Sequence, residues 1–161
     1  EGDTAVTLDL ATSQIELAYG TAQDDTFTNS GTESVEIHGE AGNDSITGGV
    51  GHENLSGGTG NDIVSGGEGN DIVTGGAGAD YFVLGEANAF YTSSGTTDYA
   101  MITDFDITED SIQLSGVAGD YNLGTVVSEV DGVGIYLEDE LVAVVQGTTE
   151  FDIADSSFIY I

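Results

Sequence analysis

Apolar side chains return along this chain every nine residues. Ile46, Leu55, Val64, Val73 and Phe82 each sit in the middle of a short β-prone triplet, and each follows an acid two positions earlier: Asp44, Glu53, Asp62, Asp71 and Asp80. Glycine takes most of the remaining fixed positions, so residues 39–83 divide into the blocks GEAGNDSIT, GGVGHENLS, GGTGNDIVS, GGEGNDIVT and GGAGADYFV. One such unit cannot bury its apolar residue alone, and only stacked copies make a continuous core. The ladder continues upstream through Ile37, Phe27, Leu17 and Leu8, in triplets such as Val35-Glu36-Ile37 and Ile15-Glu16-Leu17, which predicts nine rungs with these residues facing inward. Residues 20–28, GTAQDDTFT, form a worn copy that keeps Asp25 and has Gln23 in place of the fourth-position glycine.

The physics of one block is legible. Glycines at positions one, two and four accept positive φ without steric cost, so the backbone turns tightly and directs carbonyl oxygens inward. The following triplet extends by about 3.3 Å per residue, and only its middle side chain faces the interior. Two blocks make one turn of a flattened coil, which places each loop one strand spacing, about 4.8 Å, from the loop eighteen residues on. Acids then stack along an edge and repel unless a cation lies between them. Carboxylate and carbonyl oxygens in flexible sets of six to eight suit calcium, whereas magnesium demands a stricter octahedron and retained water.

The pattern G-G-x-G-x-D-x-U-x, carried by residues 39–83, closely resembles the calcium-binding repeat of RTX (repeats-in-toxin) proteins. The resemblance implies an all-β fold, a calcium-loaded parallel β-roll, with about three to four ions. It implies that each ion lies between two loops of one edge, held by sixth-position carboxylates and by carbonyls of positions one to four. On this chain that pairs Asp44 with Asp62, Asp62 with Asp80, Glu53 with Asp71 and, in a weaker site, Asp25 with Asp44. The matching carbonyls belong to Gly39, Ala41, Gly48, Val50, Gly57, Gly58, Thr59, Gly60, Gly67, Gly69, Gly76 and Gly78.

A second resemblance lies downstream. Residues 98–105, DYAMITDF, and 109–114, EDSIQL, are similar to the segment that follows the repeats in type I-secreted RTX proteins and in the repeat modules of mannuronan epimerases. It implies a C-terminal antiparallel β cap over the open end of the roll, and the residues themselves read as a hairpin from 134–137 to 141–145 and a last strand at 158–161. Asp104 and Asp110 then either bind a further ion where cap meets roll or terminate turns. The end, Asp155-Ser156-Ser157 followed by four apolar residues, resembles a type I secretion signal. The expected organisation is degenerate rungs over 1–38, five repeats over 39–83 and the cap over 84–161.

Charge narrows the function classes. The 161 residues carry 30 Asp and Glu, no Lys or Arg, and a formal charge of -30. No cationic clamp exists for phosphate, so nucleic acid and nucleotide partners are not expected. With no Cys there is neither a disulfide nor a thiolate metal site, and no apolar run is long enough for a membrane helix. Glu1 opens no basic and apolar leader, so either a leader is already absent or export, if any, is expected to be read elsewhere. No nucleophile elbow, zincin motif or cysteine nucleophile occurs, and no enzyme is expected. His38 and His52 fall at unrelated positions in their blocks and are not expected to ligate metal.

Three roles follow. The first is a secreted structural or assembly protein whose β-roll folds on calcium and self-associates in an extracellular layer, matrix or filament. The alternatives are a non-catalytic targeting or polysaccharide-binding module of a larger secreted enzyme, with Tyr91, Tyr99, Tyr121 and Tyr136 either lining a sugar groove or packing, and a free calcium buffer. For assembly, Val6 to Leu10 is expected to pair with a neighbouring subunit, the alternative being that Glu1 to Thr4 folds over that edge.

Overall fold

The computed structural model of the chain describes residues 3–11, 15–85, 90–91, 98–125, 131–148 and 151–161. The triplets form β1 (Thr7–Asp9), β2 (Leu17–Tyr19), β3 (Thr26–Thr28), β4 (Glu36–Ala41), β5 (Ser45–Thr47), β6 (Asn54–Thr59), β7 (Ile63–Ser65), β8 (Asp71–Ala77) and β9 (Tyr81–Val83). Successive strands alternate between two sheets, so the chain winds as a flattened parallel coil. Further along come β10 (Ala100–Ile102), β11 (Ser111–Leu114), β12 (Tyr121–Thr125), β13 (Gly132–Leu137), β14 (Glu140–Gln146) and β15 (Phe158–Tyr160). One sheet runs β1-β3-β5-β7-β9-β11-β15 and the other β12-β13-β14-β10-β8-β6-β4-β2.

Register aligns the apolar residues into two facing rows. In the first sheet Phe27, Ile46, Val64, Phe82 and Ile112 lie side by side; in the second, Ile37, Leu55, Val73, Ile102 and Val145 do. None of these is more than 2 % exposed, so the interior is a single apolar seam. Burying each such side chain contributes about 1.5–3 kcal/mol, which the isolated nonapeptide could not obtain.

The upstream rungs correct the sequence reading in one place. Leu17 points outward at 46 % exposure, and Ala18 takes the interior position, paired with Ile37. The reason lies in turn length. Leu8 pairs with Phe27 and Ala18 with Ile37, nineteen residues apart, whereas Ile37 and Leu55 are eighteen apart. The extra residue falls in the loops entering β2 and β4, and a one-residue shift reverses which side chains face the core.

The C-terminal region is antiparallel only in its hairpin strands, because the coil itself carries on and parallel pairing continues past the repeats. β10 lies on β8, β11 on β9, β14 on β10 and β15 on β11, all parallel. Antiparallel pairing is confined to β12, β13 and β14, which include the hairpin. The coil from Asp80 to Asp110 spans thirty residues, the surplus falling mainly in the excursion between β9 and β10.

Candidate metal centre

Two series of loops line the long edges of the coil. On the first edge, loops 20–25, 39–44, 57–62 and 75–80 cross from the larger to the smaller sheet; on the second, loops 29–35, 48–53 and 66–70 cross back.

First-edge carboxylates form a continuous ladder. Asp44 Oδ1 accepts the Asp25 amide at 2.7 Å, Asp62 Oδ1 the Asp44 amide at 2.7 Å, Asp80 Oδ1 the Asp62 amide at 2.9 Å, and Asp110 Oδ1 the Asp80 amide at 2.9 Å. At the near end Val6 donates its amide to Asp25 Oδ1. Every sixth-position acid is thus fixed by the loop before it, which leaves its second oxygen directed at the interval after it.

That interval is lined by acceptors. A Cβ added at Gly57 would lie 2.2 Å from Asp62 Oδ2 and 2.6 Å from the Gly75 carbonyl; at Gly39 it would lie 2.2 Å from Asp44 Oδ2 and 2.5 Å from the Gly57 carbonyl. Only glycine at position one leaves this cradle open. From the earlier loop, the second- and fourth-position carbonyls also face forward: Glu40 and Gly42 oxygens press on Gly58 and Gly60, and Gly58 and Gly60 oxygens on Gly76 and Gly78. From the later loop, Thr59 and Ala77 carbonyls reach back to the Gly42 and Gly60 amides at 3.0 and 2.9 Å. Gly58 and Gly60 have φ of 115° and 133°, which orients these carbonyls; Glu40 adopts 77° at the equivalent of Gly58.

Interval 39/57 therefore gathers Glu40, Gly42, Gly57 and Thr59 carbonyls with Asp44 and Asp62, and interval 57/75 gathers Gly58, Gly60, Gly75 and Ala77 with Asp62 and Asp80. Sequence matching placed Gly39 in the first of these, but its carbonyl faces Gly20, in the interval before.

The second edge is shorter. Glu53 donates its amide to Asp71 Oδ1 at 2.9 Å, and the cradle at Gly48 lies between the Gly66 carbonyl, at 2.1 Å from an added Cβ, and Glu53 Oε2, at 3.1 Å. Neither flanking sixth position is acidic: Ala100 pairs in register with Asp71, and Val35, whose carbonyl accepts the Asn54 amide at 3.0 Å, stands before Glu53. Asn29 donates its side-chain amide to Glu53 Oε1 at 3.3 Å, and Tyr91 its phenol to Asp71 Oδ2 at 2.8 Å.

The electrostatics follow from burial. Asp44, Glu53, Asp62, Asp71 and Asp80 are all buried. Desolvation, reinforced by the charge of Asp71, pushes Glu53 up to about 8; desolvation, with Asp80 and Asp44 adding to it, pushes Asp62 up to about 6. Desolvation likewise raises Asp44, Asp71, Asp80 and Asp110. Asp44 Oδ2, Glu53 Oε2 and Asp62 Oδ2 are buried with no hydrogen-bond partner. Such orphaned acceptors cost free energy unless a donor or a cation meets them. Among the described residues no three His, Cys, Asp or Glu side chains converge on one point, so a metal ion here depends on main-chain carbonyls.

Asp110 holds the sixth position of a further rung, while Asp104 accepts the Gly75 amide at 3.0 Å and the Gly76 amide at 2.8 Å. His38 bonds Glu36 at 2.8 Å and stacks on Tyr19, and His52 Nδ1 accepts the Asn70 amide at 2.9 Å. Tyr91 and Tyr121 are buried at 1 and 3 % exposure, so they pack and do not line a groove.

Sequence reasoning missed the fifth position. Asn43 Oδ1 accepts the Asn61 amide at 2.9 Å and Asn61 Oδ1 the Ala79 amide at 3.0 Å, a second ladder running opposite to that of the acids. Its signal was present as the recurring Gly-Asn-Asp.

The family model described as RTX calcium-binding nonapeptide repeat (4 copies) matches residues 31–52, 36–64 and 47–82. A solution structure of the AlgE6R3 subunit from the Azotobacter vinelandii mannuronan C5-epimerase is 24% identical, over 85% of this chain and 76% of that one, with a TM-score of 0.35. No curated relative matches the chain. No helix among the described residues is long and apolar enough to cross a membrane. The stretch from residue 31 to 82 is a run of RTX calcium-binding nonapeptide repeats, wound into a parallel β-roll.

Proposed function

We propose that this chain is an extracellular calcium-dependent structural module, in which calcium is a folding ligand and the loaded roll self-associates. The observation that carries the calcium assignment is the set of orphaned buried oxygens, Asp44 Oδ2, Asp62 Oδ2 and Glu53 Oε2, each beside carbonyls of a following loop. A cation answers all of them at once. Ions in intervals 39/57, 57/75 and 48/66 would be held by Asp44 with Asp62, Asp62 with Asp80, and Glu53 with Asp71. Interval 20/39 is a weaker fourth position, since Asp25 Oδ2 already accepts the Thr21 amide at 2.6 Å.

Calcium supplies charge neutralisation and cross-linking here, and the chain supplies preoriented oxygen. Four ions would reduce the charge of -30 only to about -22, so the apo chain repels itself strongly and should be disordered. The same neutralisation lowers repulsion between copies. β1 and β2 end their sheets, and Tyr19 and Leu17 on β2 are 59 and 46 % exposed, which supports contact through that end. Asp3 reaches across it to the Ala22 amide at 3.1 Å; Glu1 and Gly2 lie outside the described residues.

Secretion is supported by the repeat family. Circular dichroism and light scattering in chelator and in millimolar calcium test the proposal together. The expected result is a disordered monomer in chelator and a strand-rich multimer in calcium. A strand-rich spectrum in chelator would defeat the folding role, and a monomer in calcium would defeat assembly.

A further inference from the structure

The second edge closes in a way the first does not. At Gly66 the oxygen that completes the cradle is the Tyr91 phenol in place of a main-chain carbonyl. A Cβ there would lie 2.3 Å from Asp71 Oδ2 and 2.4 Å from Tyr91 Oη. At Gly39 and Gly57 the equivalent place belongs to the Gly57 and Gly75 carbonyls. The chemical difference is decisive. A carbonyl can only accept, so opposite a carboxylate it leaves two acceptors that need a cation; a phenol carries a proton and satisfies the carboxylate as a donor. Tyr91 donates to Asp71 Oδ2 at 2.8 Å.

Other observations point the same way. Tyr91 is 1 % exposed and holds a left-handed φ of 57°, a conformation that an aromatic residue keeps only when its surroundings impose it. The rung after Asp71 offers Ala100 in register in place of a sixth-position acid, and the carboxylate that does lie beyond, buried Asp98, accepts the Gly69 amide at 2.8 Å. Asp71 Oδ2, with its phenol partner, is also absent from the orphaned oxygens, unlike Asp44 Oδ2, Asp62 Oδ2 and Glu53 Oε2.

We propose that Tyr91 terminates the second-edge ion column: its hydroxyl proton stands on Asp71 Oδ2 where a calcium ion would otherwise be required, so this edge holds one ion, between loops 48–53 and 66–70, and none beyond. The inference rests on the calcium reading above. Tyr91 is a positioning residue. It acts on the outer oxygen of Asp71 and leaves Oδ1 to the Glu53 amide.

The test is a crystal structure of the full chain grown in calcium chloride, with ion counts by titration for the wild type and Tyr91→Phe. The expected structure has ions in the first-edge intervals and between Glu53 and Asp71, with Tyr91 still bonded to Asp71 and no ion on its hydroxyl. Tyr91→Phe is expected to bind as many ions as the wild type. In saturating calcium its folded-to-unfolded ratio, read by urea denaturation, should fall at least tenfold, as befits a lost bond to a charged group. An ion ligated by Tyr91 Oη, one ion fewer in Tyr91→Phe, or an unchanged urea midpoint each overturns the inference. Should the variant fail to fold, ion placement in the wild type decides alone. A wild type with no ion anywhere overturns the calcium reading and this inference together, whereas an ion on Tyr91 overturns only the latter.

Discussion

Asp62 is the residue whose loss should cost the roll most. Its Oδ1 accepts the Asp44 amide at 2.7 Å in one interval, and its Oδ2 faces the Gly57 and Gly75 cradle in the next. Asp62→Ala therefore strips one ligand from two ion positions and orphans a buried amide. Each ion contributes about 2.7 kcal/mol at a calcium concentration one hundred times its Kd. The unpaired amide adds about 1–3 kcal/mol. The total, about 6–8 kcal/mol, is comparable with the whole stability of a small domain, about 5–15 kcal/mol. Asp71→Ala touches only the interval shared with Glu53 and should release one ion. Titration calorimetry in calcium, with melting followed by circular dichroism, measures both. Loss of a single ion from Asp62→Ala, or equal losses from the two variants, would refute the pairing of loops along the first edge.

The pH response should change sign with calcium. Asp62 and Glu53 are raised from 3.8 and 4.5 to about 6 and about 8, so in chelator their contribution favours the roll below about pH 4 and is lost as pH rises toward 8. In calcium the ligands must be ionised, so acidification from pH 8 to 5 should instead weaken binding; strand content in chelator and melts in calcium at both pH values check this, and parallel trends would contradict it. Gly57→Ala places a methyl group 2.2 Å from Asp62 Oδ2 and 2.6 Å from a main-chain carbonyl, and should remove one ion, whereas Gly119→Ala, with nothing within 4 Å, should leave the titration count unchanged and shift stability by no more than about 1 kcal/mol. Equal titration counts for these two variants would show that the position-one cradle is not where calcium sits.

Much of this protein is written in one dimension. A nine-residue period with acid at position six and an apolar residue at position eight determined the parallel coil, its interior row from Ile37 to Phe82 and the stacking of Asp44, Asp62 and Asp80. The physical reason is that strand periodicity and glycine turns act within one block, and identical blocks can bury their apolar residue only by stacking in register. Where turn length changed, local pattern failed: Leu17 matched the ladder as well as Ala18, and only the nineteen-residue coil decided that Ala18 faces inward. The polarity of the intervals was also invisible, because which carbonyls face forward depends on φ at Gly58 and Gly60 and on the loop that follows. What meets the last repeat loops was decided by residues far apart in sequence. Asp104 on the Gly75 and Gly76 amides and Tyr91 on Asp71 reach their partners through the excursion between β9 and β10, whose path no repeat encodes. Repetition specified the body of the roll, and tertiary contact specified which side chains meet Asp71 and the Gly75 loop.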